Sequence, residues 1–342
     1  MDGNFSKLRF SEFTKAATTG AIIGAAALIP VTAKAATGSV QIHAGNATWF
    51  VNTNITFSST SSQFGMSEAS LHTATNTRND AFDGALAWHV YATSPGAPNQ
   101  QNGYRSPGGT VAVTTNSVLG TVQSLAGLNV QGQLWFATNK AVARSILTLQ
   151  NPSGSAITVT VDNDNNLGSD NGTRILATSS GDATFDASDN WFVSCQSSQA
   201  PPACDATLDP VLTFAFQGQG GVRGTDVSPS GGFQNGNDNP NERFTVTVPA
   251  GETRALMYLV QLSDTQVDAV ADAPTFNSGT SLQGAGYLAA LPTGLQLNQI
   301  VNWNLTASIP TLGEWASAGM AALLGLMGLG SLGLFRRRPQ RS

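Results

Sequence analysis

The chain has 342 residues, only 11% of them charged, and a formal net charge of −5. Residues 36–308 carry eight basic and eighteen acidic side chains, a balance near −10. This acidic surface excludes nucleic-acid binding, which requires a basic footprint. Low charge together with abundant Gly, Ser, Thr and Asn is typical of secreted β-proteins.

Residues 1–35 have the three parts of a secretory signal peptide. Basic side chains occur within residues 1–15, an apolar stretch runs from Ala16 to about Ile29, and Ala33-Lys34-Ala35 is a small-residue cleavage sequence. We predict cleavage after Ala35, with the export machinery and signal peptidase as partners. An uncleaved anchor is the alternative, but the apolar stretch is short for one.

The body, residues 36–262, is predicted to be mainly β, an antiparallel β-sandwich or jelly roll. Apolar residues alternate with threonines at 157–161 and 244–248, which indicates half-buried strands. Residues 255–260 are apolar on both faces and predict a central strand. The predicted strands are 39–43, 48–57, 84–92, 110–115, 131–137, 145–150, 156–161, 211–216, 244–248 and 253–262.

Two turn sequences predict β-hairpins. Asn151-Pro152-Ser153-Gly154 separates two of the strands, and Pro249-Ala250-Gly251-Glu252 separates two more. The polar stretch 93–109 predicts a long loop, which would divide the body near 105–125 or simply cap one sandwich. Both alternatives are consistent with the sequence.

In residues 263–308 the alternating strand pattern ends, and the sequence predicts short helices or a linker. Ser263-Asp264-Thr265 is a helix N-cap sequence. Leucines and an isoleucine recur between residues 282 and 301, which indicates further short helical turns before the tail.

The stretch 162–209 is rich in aspartate and predicts a calcium loop. The proposed ligands are Asp162, Asp164, Asn166 and Asp170, which place oxygen atoms at near-alternate positions. The stretch is not an EF-hand, because position twelve is Thr173. A solvated polar turn without metal is the alternative, since Asn and Asp favour turns for their own reasons.

Cys195 and Cys204 are the two cysteines of the chain. In an exported protein such a pair is predicted to form a disulfide. Nearby Trp191 is the best candidate for stacking on a sugar, although tryptophans more often serve the core.

The sequence contains little that predicts catalysis. His43, His72 and His89 are the only histidines, and neither an H-E-x-x-H nor a G-x-S-x-G motif occurs. We predict that the protein is not an enzyme, with no catalytic residues, and that His89 has a structural role in a strand.

The C-terminus has a sharply defined three-part pattern. Ile309-Pro310-Thr311-Leu312-Gly313-Glu314-Trp315 precedes residues 316–335, which contain no charge, and three arginines follow at 336–338. Twenty helical residues span the roughly 30 Å of a bilayer core, and the arginines should remain cytoplasmic. Residues 316–335 are therefore predicted to form a transmembrane helix.

These three parts resemble the IPTL-CTERM sorting signal of Gram-negative bacteria, here at residues 309–342. Ala316 departs from the family, which usually has Gly after the Trp. The resemblance implies passage through the inner membrane and processing by exosortase H, a cysteine transpeptidase-like enzyme. Residues 146–260 are also similar to other IPTL-tailed surface proteins, in pieces such as Asn166–Asp170 and Val248–Thr253.

From these features we expect an exported cell-surface or extracellular-matrix protein of structural or adhesive type. Its expected partners, besides the sorting enzyme, are envelope, matrix or glycan components. A calcium-dependent carbohydrate-binding module is the alternative, and a secreted hydrolase ranks third.

Overall fold

The computed structural model describes residues 33–305 except 58–60, 93–102, 170–171, 183, 198–203, 205–208 and 229–237. Contacts between residues divide the chain into two compact units, Met1–Thr32 and Ala33–Ser342. The fold described here belongs to the second unit. The predicted transmembrane helix, the sorting motif and most of the predicted signal peptide lie outside the described residues. Within the described ranges, no helix has the length and apolar character needed to cross a bilayer.

The described part of the chain contains eighteen strands, two short α-helices and three 3₁₀ turns. The strands are β1 (Lys34–Thr37), β2 (Ser39–Ala44), β3 (Ala47–Phe57), β4 (Ser61–His72), β5 (Thr77–Arg78), β6 (Gly84–Tyr91), β7 (Thr110–Val113), β8 (Ser117–Gly120), β9 (Gln123–Leu125), β10 (Leu128–Phe136), β11 (Val142–Gln150), β12 (Ile157–Asn166), β13 (Thr173–Thr178), β14 (Trp191–Gln196), β15 (Val211–Ala215), β16 (Asp226–Ser228), β17 (Asn241–Val248) and β18 (Thr253–Ser263). The helices are α1 (Gln266–Asp272) and α2 (Gly279–Gly284), and the 3₁₀ turns are Pro107–Gly109, Ala273–Phe276 and Leu297–Gln299.

The strands form two antiparallel sheets, which confirms the predicted mainly β, sandwich-like body. Sheet 1 has the order β1-β7-β8-β10-β11-β18-β15-β14-β13, with β9 paired to β10. Sheet 2 has the order β16-β17-β12-β6-β4-β3-β2, with β5 paired to β4. The predicted cleavage bond after Ala35 lies within β1, whose four residues pair with β7.

Sheet 1 is covered on both faces, which explains why residues 255–260 of β18 are all apolar. Leu256 and Tyr258 belong to the main core, which contains residues of both sheets. Met257 and Leu259, on the opposite face, belong to a second core that includes residues of α2 and the 3₁₀ turns. Because successive side chains point to opposite faces, a strand between two apolar layers must be apolar at every position. The predicted central strand is confirmed.

The two predicted hairpins are wrong. β11 pairs with β10 and β18 in sheet 1, whereas β12 pairs with β17 and β6 in sheet 2. The turn Asn151–Gly154 therefore carries the chain from one sheet to the other, and so does the turn Pro249–Glu252 between β17 and β18. Turn residues indicate a change of direction, but they do not decide whether the flanking strands pair with each other.

Asn151 joins these two crossings. Its backbone N–H donates to the carbonyl of Glu252 at 2.9 Å, and its side-chain amide donates to the carbonyls of Ser155 at 2.7 Å and Val248 at 2.9 Å. The side chain is fully buried. Since buried polar groups need partners, Asn151 holds the two crossings in contact.

The segment after β18 packs on sheet 1 as short helical turns, as predicted. The hydroxyl of Thr265 caps α1 by accepting a hydrogen bond from the backbone of Asp268. Arg144 of β11, fully buried, donates to the carbonyls of Tyr287 at 2.7 Å and Ala289 at 2.8 Å. Burial lowers the pKa of Arg144 to about 9. These bonds anchor the segment after α2 to the sheet.

Candidate functional site

The Asx-rich run Asp162–Asn166 is the end of strand β12 and not a loop. Both sequence-based interpretations of the run, a calcium loop and a solvated turn, assumed loop geometry, and that geometry is wrong for residues 162–166. The run pairs with β17 on one side and β6 on the other, so tertiary pairing overrides the low strand propensity of Asn and Asp. Its side chains alternate between an outer face of sheet 2 and the main core.

On the outer face, Asp162 forms a two-pronged ion pair with Arg243 of β17. The Nε and Nη2 atoms of Arg243 each donate to one carboxylate oxygen of Asp162 at 2.7 Å. Asp162 is only 1% exposed and the side chain of Arg243 is 28% exposed. The hydrogen bonds to Asp162 raise the pKa of Arg243. Two parallel charge-assisted hydrogen bonds of this kind fix the orientation of the carboxylate.

Two residues further along the same face, Asp164 contacts His89 of β6. The Nδ1 atom of His89 lies 2.8 Å from Oδ2 of Asp164, and its Nε2 atom lies 2.7 Å from the side-chain nitrogen of Gln63. With Nδ1–H donating to the carboxylate, Nε2 accepts from the amide. His89 is fully buried. Both ring nitrogens are therefore occupied, the arrangement of a structural histidine and not of a free general base.

The inner face of the run forms a polar group within the main core. Asn163 donates to the carbonyl of Ala87 at 3.0 Å, and Asn165 donates to Asn163 at 2.9 Å and to Glu242 of β17 at 3.4 Å. Glu242 is fully buried. Burial first, and then the charges of Asp164 and Asp162, raise its pKa well above the usual range. Burial therefore favours the neutral form of Glu242 inside the sandwich.

Tyr258 of sheet 1 lies close enough to this polar group to be influenced by it. Burial first, and then Glu242 and Asp162, raise the pKa of Tyr258 well above its usual value. Among the described residues, neither the Tyr258 hydroxyl nor Oε1 of Glu242 has a hydrogen-bond partner. Trp88 packs edge-on against Tyr258 with ring centroids 4.7 Å apart. Tyr258 thus connects the aromatic packing of the core with the polar group.

The predicted calcium ligands are only partly within the described residues. Asp162 is bound by Arg243, Asp164 by His89, and Asp170 lies outside the described residues. In the described ranges, no three side chains of the His, Cys, Asp and Glu types gather where they could hold a metal. The calcium site stays a prediction, without the loop on which it was based.

The predicted disulfide between Cys195 and Cys204 is present. It ties the end of β14 to the segment that follows. Trp191, at the start of the same strand, is 6% exposed and donates from Nε1 to Asn277 at 2.8 Å. The stacking role suggested for Trp191 is therefore corrected, because its ring belongs to the second core.

An open cleft of about 410 Å³ lies at the 3₁₀ turn Pro107–Gly109, and its polar lining includes Thr53, Arg105, Ser106 and Gln123. The backbone of Ser106 is left-handed, with φ 52° and ψ 84°. Its hydroxyl donates to the carbonyl of Thr110 at 2.7 Å and accepts from the backbone of Thr121 at 2.9 Å, which holds this strained turn in place. Sequence reasoning missed the cleft, because its residues come from three separate parts of the chain.

A comparison with protein families identifies the C-terminal tail, which lies outside the described residues. The model of the IPTL-CTERM motif matches residues 307–339. The chain carries an IPTL-CTERM tail. The predicted resemblance to the IPTL-CTERM sorting signal is confirmed. The tail indicates an exported protein with a C-terminal sorting signal. The match covers the IPTL-CTERM tail alone and leaves the activity of the body open.

No curated protein matches this chain. Among solved structures, a polysaccharide lyase is similar at 11% identity over 68% of this chain, with a TM-score of 0.40, and the chain spans 35% of its length. A galactose mutarotase-like protein from Lactobacillus casei is 9% identical over 66% of this chain and 100% of its own, with a TM-score of 0.38. An α-galactosidase from Geobacillus stearothermophilus is 12% identical over 69% of this chain and 42% of its own, with a TM-score of 0.36. Likenesses this distant carry no conclusion about function.

Proposed function

We propose that this protein is a non-enzymatic structural or adhesive component of the cell surface or extracellular matrix of a Gram-negative bacterium. The observation that carries the proposal is the IPTL-CTERM motif at residues 307–339. A sorting signal directs a protein to a fixed destination outside the inner membrane. An exosortase H-like enzyme is the proposed processing partner, and the body is what the cell displays.

The polar side chains of the body support a structural role. Asp162 and Asp164, which are suited to acid–base chemistry, are engaged by Arg243 and His89. Glu242 lies fully inside the core. A general acid or base must reach a proton on a substrate, and these three carboxyl groups are enclosed or engaged by their own neighbours.

The proposal can be tested in cells that display the protein. Full-length protein and a variant with Ile309→Ala, Pro310→Ala and Leu312→Ala are fractionated into inner membrane, surface and medium. We expect the variant to accumulate in the inner membrane, with loss of cell aggregation or attachment. A matched variant with three substitutions in the body, Thr158→Ala, Thr245→Ala and Thr247→Ala, should reach the surface normally. Normal surface delivery of the tail variant, or turnover of glycan or ester substrates by the purified protein, would contradict the proposal.

The cleft at Pro107–Gly109 favours a second candidate function, the binding of an acidic glycan. None of the ion pairs within the described residues includes Arg105, and a guanidinium matches the two oxygens of a carboxylate. A cleft of about 410 Å³ has the size of a small-molecule site. Binding on a glycan array that persists in chelator and is lost with Arg105→Gln would favour this function over the calcium-dependent one.

A further inference from the structure

His43 and His72 come together on the outer face of sheet 2, away from the residues considered so far. His43 lies on β2, the edge strand of the sheet in the described structure, and His72 lies on β4, two strands away. Thr48 of β3 stands between them, opposite His43 in the register. Both imidazoles are exposed, so the pair is accessible from solvent.

The two rings point at a single atom. The Nδ1 atom of His43 lies 3.0 Å from the hydroxyl oxygen of Thr48, and the Nε2 atom of His72 lies 2.7 Å from the same oxygen. A hydroxyl has one proton to donate, so it cannot donate to two imidazole lone pairs at once. The hydroxyl marks a point at which two ring nitrogens converge.

His72 is also held in the orientation that a metal ligand requires. Its other ring nitrogen, Nδ1, lies 3.3 Å from the hydroxyl of Thr77, its partner in the register between β4 and β5. With Nδ1–H donating to Thr77, the lone pair of Nε2 points toward Thr48 and His43. Ligating histidines commonly donate their second ring N–H in this manner, which fixes the tautomer and the ring plane.

We propose that His43 and His72 bind one divalent transition-metal ion, Cu²⁺ most tightly and Ni²⁺ or Zn²⁺ less tightly. Neutral imidazole suits these ions. The two ring nitrogens, each no more than 3.0 Å from the Thr48 hydroxyl oxygen, turn away from that oxygen to form metal–nitrogen bonds of about 2.0–2.1 Å. Water completes the shell, because the protein offers two nitrogen ligands here. Calcium is excluded from this site because it requires oxygen ligands.

The bound ion connects the edge strand β2 to β4 across β3. Edge strands carry unpaired backbone groups and open more readily than central strands. A ligand that binds only the folded state stabilises it by mass action. The site therefore links the stability of this edge of sheet 2 to transition-metal supply outside the cell.

The test uses the purified chain, freed of metal by chelation and titrated with Cu²⁺ at pH 7.5. The electron paramagnetic resonance spectrum should show coupling to two imidazole nitrogens, and Zn²⁺ should raise the melting temperature while Ca²⁺ has no effect through this site. His43→Gln and His72→Gln should each weaken Cu²⁺ binding by more than about tenfold, because loss of a ligand costs at least as much as loss of its orienting partner.

Thr48→Val provides the matched control. It removes the hydroxyl that joins the rings but keeps both ligands, so it should retain two-nitrogen Cu²⁺ binding. Far-ultraviolet circular dichroism establishes that each variant is folded. Unchanged binding in both histidine variants, or a wild-type spectrum without two imidazole nitrogens, would overturn the proposal.

Discussion

The outer face of β12 presents Asp162 and Asp164, while its inner face, one residue further along in each case, presents Asn163 and Asn165. β17 mirrors this alternation, since Arg243 points outward and Glu242 points inward. On the outer face the carboxylate of Asp162 is paired with a guanidinium. On the inner face no guanidinium pairs with Glu242 among the described residues, and burial raises the pKa of its carboxyl group and favours the neutral form.

This difference between the two faces shows that composition does not determine the chemistry of a buried polar residue. Moving a carboxyl group by one residue along the strand transfers it from the outer face, where it pairs with an arginine, to the inner face, where it lies in the core. Because the side-chain period of a strand is two, pairing register fixes both outcomes together. The two faces should therefore respond differently to substitution and to pH.

Arg243→Met should cause the largest loss of stability. It keeps much of the side-chain stem but leaves the carboxylate of Asp162, 1% exposed, without its counter-charge. Breaking such a pair typically costs about 3–5 kcal/mol, and the partial exposure of Arg243 places our expectation near 3 kcal/mol. Urea denaturation at pH 7 measures the change in free energy of unfolding.

A control with the same exposure is available in the next strand. Arg254 is also 28% exposed, but its partner Glu252 is 51% exposed. Arg254→Met should cost less than about 1 kcal/mol, as exposed pairs usually do. Equal losses in the two variants would show that burial of Asp162 has no energetic consequence.

Glu242→Gln should change the pH dependence of stability. The pKa of folded Glu242 is raised, so its contribution is fully present below the pKa of the unfolded chain and is lost as pH rises toward the folded value. Over that window the wild type should lose about 1.4 kcal/mol per pH unit from this group. Gln cannot ionise, so the variant should equal the wild type near pH 4 and exceed it increasingly toward pH 7.

Denaturation curves collected from pH 4 to pH 7 provide the measurement for Glu242→Gln. Other titrating groups are shared by both proteins, so the difference between their profiles isolates Glu242. Parallel profiles would mean that Glu242 is ionised in the folded protein, and the contrast between the two faces would disappear.

Asp164→Asn should have a smaller effect than Arg243→Met. The amide oxygen can still accept from Nδ1–H of His89, so the hydrogen bond persists and only its charge assistance is lost. We expect a loss of about 1 kcal/mol in the free energy of unfolding, measured in urea at pH 7. A loss as large as that of Arg243→Met would indicate that His89 and Gln63 require the carboxylate itself.

The sequence predicted the bounds of β3, β6 and β18 to within one residue. Of β12 it predicted only residues 157–161, where apolar residues alternate with threonine. β4 was missed, because Ser61–His72 contains Gly, Ala and several serines with low strand propensity. It is a strand because β3 and β6 pair with it and its apolar residues face the core. Propensity within a segment contains no information about such neighbours.

The polar cluster was harder to predict for the same reason. Asp162 and Arg243 are 81 residues apart in the chain, and nothing near either residue identifies the other. One signal was present: the alternation of Thr158 and Thr160 with apolar residues continues in step through Asp162 and Asp164. That continuity indicates a strand, whereas the abundance of Asn and Asp indicates a turn, and the period of two was the better guide.

The two crossings joined by Asn151 also determine when the body can fold. β11 pairs with β18, about a hundred residues later in the chain, and β12 pairs with β17. A chain that emerges from a membrane N-terminus first therefore exposes half-paired central strands until residues 241–263 follow. Such non-local pairing folds slowly. We expect the exported body to remain open through most of its passage and to close both sheets together in one late step, just before its sorting tail arrives.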